Sequence, residues 1–238
     1  MSTPGRLNEW FVPSVGPPRF RAAIGLLFLP YTGMVLSFTV IGSMLAETVQ
    51  WDRVAAIIVI YFLALGIGAH ALDAVGSKGL KPWGAAFTRR QLWLLAAVSI
   101  GLAYAIGIYY IVKFAPLLAV IAVLEGFFLL AYNLEWFRGR FHTDGWFAFS
   151  WGFLPVLAGF VLQTNSVSPA AIMVAGSMAA LSLVEIKASR PYKALKRGAG
   201  GGAAEGRAQM ERLEAILKAV SLGVILLGIA LAVWRWSG

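Results

Sequence analysis

The sequence contains no cysteine. Disulfides, thiol catalysis, covalent haem attachment and cysteine-held metal or cluster sites are excluded with it. Histidine is almost as scarce: with only His70 and His142, no three-histidine metal centre can form. Charged residues make up 13% of the chain, and one sign is scarcer, with 11 Asp and Glu against 20 Lys and Arg for a formal charge of +9. What remains is apolar. Of 238 residues 59% are hydrophobic and the mean hydropathy is +0.76, far from the balance of soluble domains. The chain reads as an all-α integral membrane protein. Its positive charge reads as basic residues held at one membrane face, with no nucleic-acid partner.

Apolar runs long enough to cross roughly 30 Å of hydrocarbon occur at about 23–46, 54–72, 91–112, 115–134, 146–163, 168–186 and 213–234. The expectation is seven transmembrane helices in one domain over 23–238, after an interfacial segment at 1–22 whose aromatic and basic residues alternate with prolines. No small-residue cleavage site follows that segment, so it reads as retained and cytoplasmic. With the N-terminus inside, 17 of the 20 Lys and Arg fall on the inner side, and only Arg53, Lys113 and Arg235 fall outside. The inner connections, about 73–90, 135–145 and 187–212, carry the polar residues, whereas the outer ones are short. A polytopic cell-membrane protein with its active face toward the cytoplasm is expected.

Few polar residues interrupt the apolar runs. His70 and Asp73 share a helix face in GIGAHALDAVGSKGLKPWG, where a chain leaving the membrane either builds a cation or phosphate site or simply meets water. Glu125 lies inside LLAVIAVLEGFFLLAYN, at a depth where an ionisable group needs the bundle interior and a partner. It either serves chemistry or locks two helices together. Tyr132 and Asn133, seven and eight residues and so about two turns on, project from nearly the same face. Arg138 and Arg140 in YNLEWFRGRFHTDGW suit an anionic head group, or serve only as inner-face charge. VEIKASRPYKALKR sets Glu185 among Lys187, Arg190, Lys193, Lys196 and Arg197, a cluster that attracts diphosphate or anionic lipid.

In their order these pieces resemble the UbiA superfamily of intramembrane prenyltransferases, over about residues 20–197. GAHALDAVGSKGLKP is similar to the family's first aspartate motif, with Asp73 at the central aspartate, His70 and Ser77 at the flanking acidic positions, and Lys81-Pro82 in place of the Arg-Pro step. AYNLEWFRGRFHTDGWFAFSWGFLPVLAGF resembles the family's tyrosine-bearing helix end, basic turn and following helix. The second aspartate motif falls near LVEIKASRPYKALKR, where Glu185 is the single carboxylate and Ser189 stands where the next belongs.

The resemblance implies a helical bundle around a cavity open to the cytoplasm. It implies prenyl transfer from an isoprenyl diphosphate to a lipophilic acceptor among membrane lipids. Asp73, Glu185 and His70 would hold Mg2+, although Mg2+ prefers oxygen ligands. Lys78, Lys81, Asn133, Arg138, Arg140, Arg190 and Lys193 would cradle substrate, and Glu125 or Tyr132 would act on the acceptor. Two other readings compete. One is a non-catalytic isoprenoid-binding, lipid-binding or scaffolding protein on the same bundle; the other is a small transporter using Glu125 as a proton site.

Overall fold

A computed structural model of the chain describes residues 6–76, 86–197 and 204–238. Backbone groups in hydrocarbon must bond to one another, so the apolar runs wind into helices, and no strand occurs among the described residues. Six helical units are long and apolar enough to cross a membrane: 18–44, 51–76, 89–113, 144–164, 169–196 and 204–237. A seventh apolar helix, Leu118–Asn133, has 16 residues. The chain is an all-α protein of the polytopic membrane type.

The elements are α1 (Pro18–Leu26), α2 (Leu29–Met44), α3 (Trp51–Tyr61), α4 (His70–Gly76), α5 (Arg89–Lys113), α6 (Leu118–Asn133), α7 (Asp144–Ala148), α8 (Leu154–Thr164), α9 (Pro169–Arg197) and α10 (Ala204–Ser237). Two π-helical stretches join them: Phe62–Ala69 between α3 and α4, and Phe149–Phe153 between α7 and α8. Local chemistry sets several of the boundaries. Pro18 and Pro30 sit in the first turns of α1 and α2, where a missing N–H costs nothing. Thr88 and Gln91 form a capping box at the start of α5, and Asn165, at φ 48°, ends α8.

Helix α2 runs through the centre, packed on α8 and α10. At the α2–α8 crossing a Cβ on Gly42 would strike the Val156 carbonyl, and one on Gly159 the Thr39 carbonyl. Close backbone approach through small residues is how helices associate without a hydrophobic drive between them. Helices α5 and α10 lie outermost, with Val98, Ile108, Leu226 and Val233 exposed.

The two ends of the bundle are tied differently. At one end Gln50 and Gln163 exchange amide bonds, at 2.8 and 3.1 Å. There Leu117 N–H also donates to Asn165 Oδ1 at 2.9 Å, and Arg235 donates to the Ala46 and Glu47 carbonyls. At the other end the donors are cationic side chains, with one ion pair among them. Lys196 donates to the Asn8 carbonyl, to Glu9 and to the Tyr192 hydroxyl, and Arg21 to the Leu7 and Pro13 carbonyls. The N-terminal segment is thereby folded against α9.

Some boundaries differ from the sequence expectation. The connection expected from 187 is helix as far as Arg197, and α10 begins at Ala204, not near 213. The second span continues to Gly76, past 72, and α1 begins at Pro18, inside the expected 1–22 segment. The charged helix ends were read as loops because hydropathy ended before the helices did. The runs at 91–112 and 115–134 are separate helices, α5 ending at Lys113 and α6 beginning at Leu118.

Candidate functional site

At the end that carries the N-terminal segment, the bundle encloses a cavity of about 220 Å³. His70 and Asp73 reach it from α4, Tyr132 and Asn133 from the last turn of α6, and Glu185, Arg190 and Lys193 from α9. Aromatic rings form most of the rest of its wall, Phe28, Tyr31, His142, Phe147 and Trp151, with Ile186 and Ser189.

The π-helical stretches explain how two of these side chains are held. Widened turns of this kind are enriched at functional sites. After Phe62–Ala69 the backbone N–H of His70 bonds the Ile67 carbonyl, and it is the imidazole Nδ1 that contacts the Gly66 carbonyl, at 3.0 Å. The ring lies between Phe28, at 4.8 Å between centroids, and Trp151, at 5.5 Å. Trp151 comes from the second π-helical stretch. Gly76 brings the end of α4 against the Asn133 carbonyl at the end of α6, an approach that a Cβ would block.

His142 sits across the α6–α7 turn, its ring stacked on Tyr132 at 4.3 Å and its Nδ1 3.0 Å from the Tyr132 carbonyl. Asn133 Nδ2 donates to the Leu129 carbonyl at 2.8 Å. Arg190 pairs with Asp144 at 2.9 Å, and Lys187 approaches the same carboxylate at 3.7 Å. Lys193 Nζ lies 5.5 Å from the Phe28 ring centre and 5.7 Å from that of Tyr31, within cation–π range. Deeper in α9, Glu185 is only 3% exposed and Ser189 is fully buried, with the Tyr31 hydroxyl 3.4 Å from Ser189 Oγ.

His70, Asp73, Tyr132, Asn133, Glu185, Arg190 and Lys193, drawn from three separate stretches of chain, thus face one space. Arg138 and Arg140 do not. They stand exposed on the α6–α7 turn, where Glu135, Phe137 and Arg138 all have positive φ, a backbone that non-glycine residues rarely adopt. Lys78, Lys81 and Ser77 lie outside the described residues. Glu125 lies elsewhere: it lines a second, apolar cavity, where the Tyr61 hydroxyl donates to its Oε1 at 2.8 Å. The polar stripe expected from Glu125 to Asn133 is therefore split between two cavities on one helix.

No family model, no curated protein and no solved structure matches this chain. Its chemistry has to be argued from the site itself.

Among the described residues no three His, Asp or Glu side chains come together as a metal-ion group. His70, Asp73 and Glu185 border the same cavity without forming such a set. The set expected for Mg2+ is thus not brought together among the described residues. Cations, carboxylates and phenol do meet beside a wall of aromatic rings. Such a space suits an amphiphile with an anionic head.

Sequence reasoning missed the N-terminal contribution. Phe28 and Tyr31 line the cavity, and Phe11 backs both at 5.0 and 6.2 Å. Nothing distinguishes these rings from the chain's other aromatics. The pairing of Asp144 with Arg190 had a fainter signal, one of two acids beside the basic turn.

Proposed function

We propose that the protein is an intramembrane prenyltransferase of the UbiA type, moving an isoprenyl group from a diphosphate donor to a lipophilic acceptor at the cytoplasmic face of a seven-span bundle. The observation that carries this reading is the convergence of Asp73, Tyr132, Glu185, Arg190 and Lys193 on one aromatic-walled cavity at the basic end of an apolar molecule. The excess of Lys and Arg at that end supports its cytoplasmic placement.

In this reading Arg190 and Lys193 bind the diphosphate, Arg by its planar fork and Lys as a point charge. The bond between the allylic carbon and the diphosphate oxygen breaks, and its electron pair leaves with diphosphate, whose growing charge the two cations stabilise. Tyr31, Phe28 and Trp151 present ring faces to the electron-poor carbon. The acceptor's nucleophilic atom forms the new bond to that carbon, and the proton it sheds passes to a cavity carboxylate, Glu185 or Asp73.

A second reading, an isoprenoid- or lipid-binding protein without turnover, is favoured by one observation. Arg190 is already paired with Asp144, and the carboxylates form no metal set. Detergent-purified protein titrated with geranylgeranyl diphosphate separates the two, with and without Mg2+. Both readings expect a rise in Tm that exceeds the rise with geranylgeraniol. Diphosphate release in the presence of a phenolic or quinol acceptor supports the transferase, and binding without release across an acceptor panel supports the second reading. No rise in Tm would remove both.

A further inference from the structure

The second cavity needs its own account. It lies between α3, α5 and α6, holds about 70 Å³ and is lined almost wholly by aliphatic side chains and glycine. Tyr61, Tyr104 and Glu125 are the exceptions. Glu125 lies seven residues before Tyr132 on α6, about 10 Å nearer the middle of the bundle. The mouth opens sideways: Ile108 lines the cavity and is 54% exposed, on a helix whose outer face is the surface a bilayer would cover.

The hydrogen bonds inside it are unbalanced. Tyr61 spends its proton on Glu125 Oε1 at 2.8 Å, and Tyr104 spends its own on the Ala122 carbonyl at 2.8 Å. Glu125 Oε2 has no hydrogen-bond partner among the described residues. Both phenolic donors are thus committed, and what the cavity still offers is carboxyl oxygen. An ionisable group in the middle of an apolar helix, half-buried at a cavity wall, marks a functional site, because a carboxyl in such surroundings is costly unless it meets a partner.

We infer that this cavity is a lateral binding site for a membrane-dissolved molecule with a hydroxyl head, the hydroxyl bonding Glu125 and the apolar tail remaining between the helices and the lipid. The volume sets the head size. By this measure a single water needs only about 10–15 Å³, so 70 Å³ takes a hydroxyl head and the first carbons of its tail. A hydroxyl both donates and accepts, so it meets Glu125 in either protonation state. The absence of any cation among the lining residues excludes a phosphate or carboxylate head. The inference does not depend on prenyl transfer.

The test uses the full chain in nanodiscs, with 1-dodecanol and its methyl ether as probes and Tm as readout. Dodecanol should raise Tm, and the ether, lacking the O–H, should need at least tenfold more probe for the same rise. Glu125→Leu should abolish the dodecanol response. Gly107→Leu covers the case in which that variant fails to fold: Gly107 lines the cavity and a Cβ there meets nothing within 4 Å, so a leucine is accommodated and adds bulk at the cavity wall while Glu125 is kept. It too should abolish the response, while Arg190→Ala, in the polar cavity, should keep it. Equal potency of alcohol and ether, or a response that survives Gly107→Leu, would overturn the site. So would a response lost in Arg190→Ala alone. A failed diphosphate titration would leave it untouched.

Discussion

In the proposed reading Arg190 would serve two anions. It pairs with Asp144 at 2.9 Å and borders the polar cavity, so a bound diphosphate must compete with or share its guanidinium. A charge-assisted hydrogen bond is worth about 1.5–3 kcal/mol. Arg190→Ala should therefore weaken geranylgeranyl diphosphate binding on the order of 10- to 100-fold. Asp144→Asn should leave affinity equal or higher, because it removes the competing charge without adding volume. Isothermal titration of the two variants reads both, and a loss in Asp144→Asn equal to that in Arg190→Ala would mean that the pair is structural. Glu185→Gln separates binding from turnover. It keeps the shape and removes both the negative charge and the proton acceptor. Affinity for diphosphate should hold or rise while turnover falls on the order of 10²-fold, the usual worth of a positioned base. Unchanged turnover would move that role to Asp73.

Elements bring these residues together, and their reading from sequence was uneven for physical reasons. Hydropathy is additive along a helix, so apolar middles such as 23–46 and 168–186 were plain, while the short run at 146–163 and the division of 91–134 were less so. The ends of α9 and the start of α10 were not, because helices that emerge into water carry charge and resemble loops. Charged and phenolic lining residues stood out against an apolar background. The π-helical stretches before His70 and around Trp151 did not, since no composition marks them. Helical periodicity put Glu125 and Tyr132 on one face but carried no information on which neighbours divide that face, and Tyr61 and His142 claim its two parts separately. The α2–α8 crossing is the element on which the rest leans. Gly159→Val would drive a side chain into the Thr39 carbonyl, and since backbone cannot step aside as a side chain can, the cost should reach or exceed the ~1–3 kcal/mol of ordinary overpacking. A lower Tm in detergent is the expected result, whereas Gly101→Val, at a site where a Cβ meets nothing within 4 Å, should change it little.

For the whole molecule the open quantity is how many times the chain crosses the bilayer, and α6 decides it. Its 16 residues rise about 24 Å, short of a hydrocarbon core of about 30 Å. Lys113 before it and Arg138 after it are both exposed, and each has a basic group able to reach the interface and relieve the mismatch. A chain without cysteine is ready-made for mapping this, since any introduced thiol is the only one present. If α6 crosses, Lys113→Cys reacts with a membrane-impermeant maleimide on intact cells, and Arg138→Cys reacts only after permeabilisation. That pattern places the polar cavity, reached by Tyr132 and Asn133 at the far end of α6, on the cytoplasmic side, where isoprenyl diphosphates are soluble and basic residues collect. Labelling of both positions from the same side would mean that α6 turns back within the membrane, and the seven-span, inward-facing arrangement would fall with it.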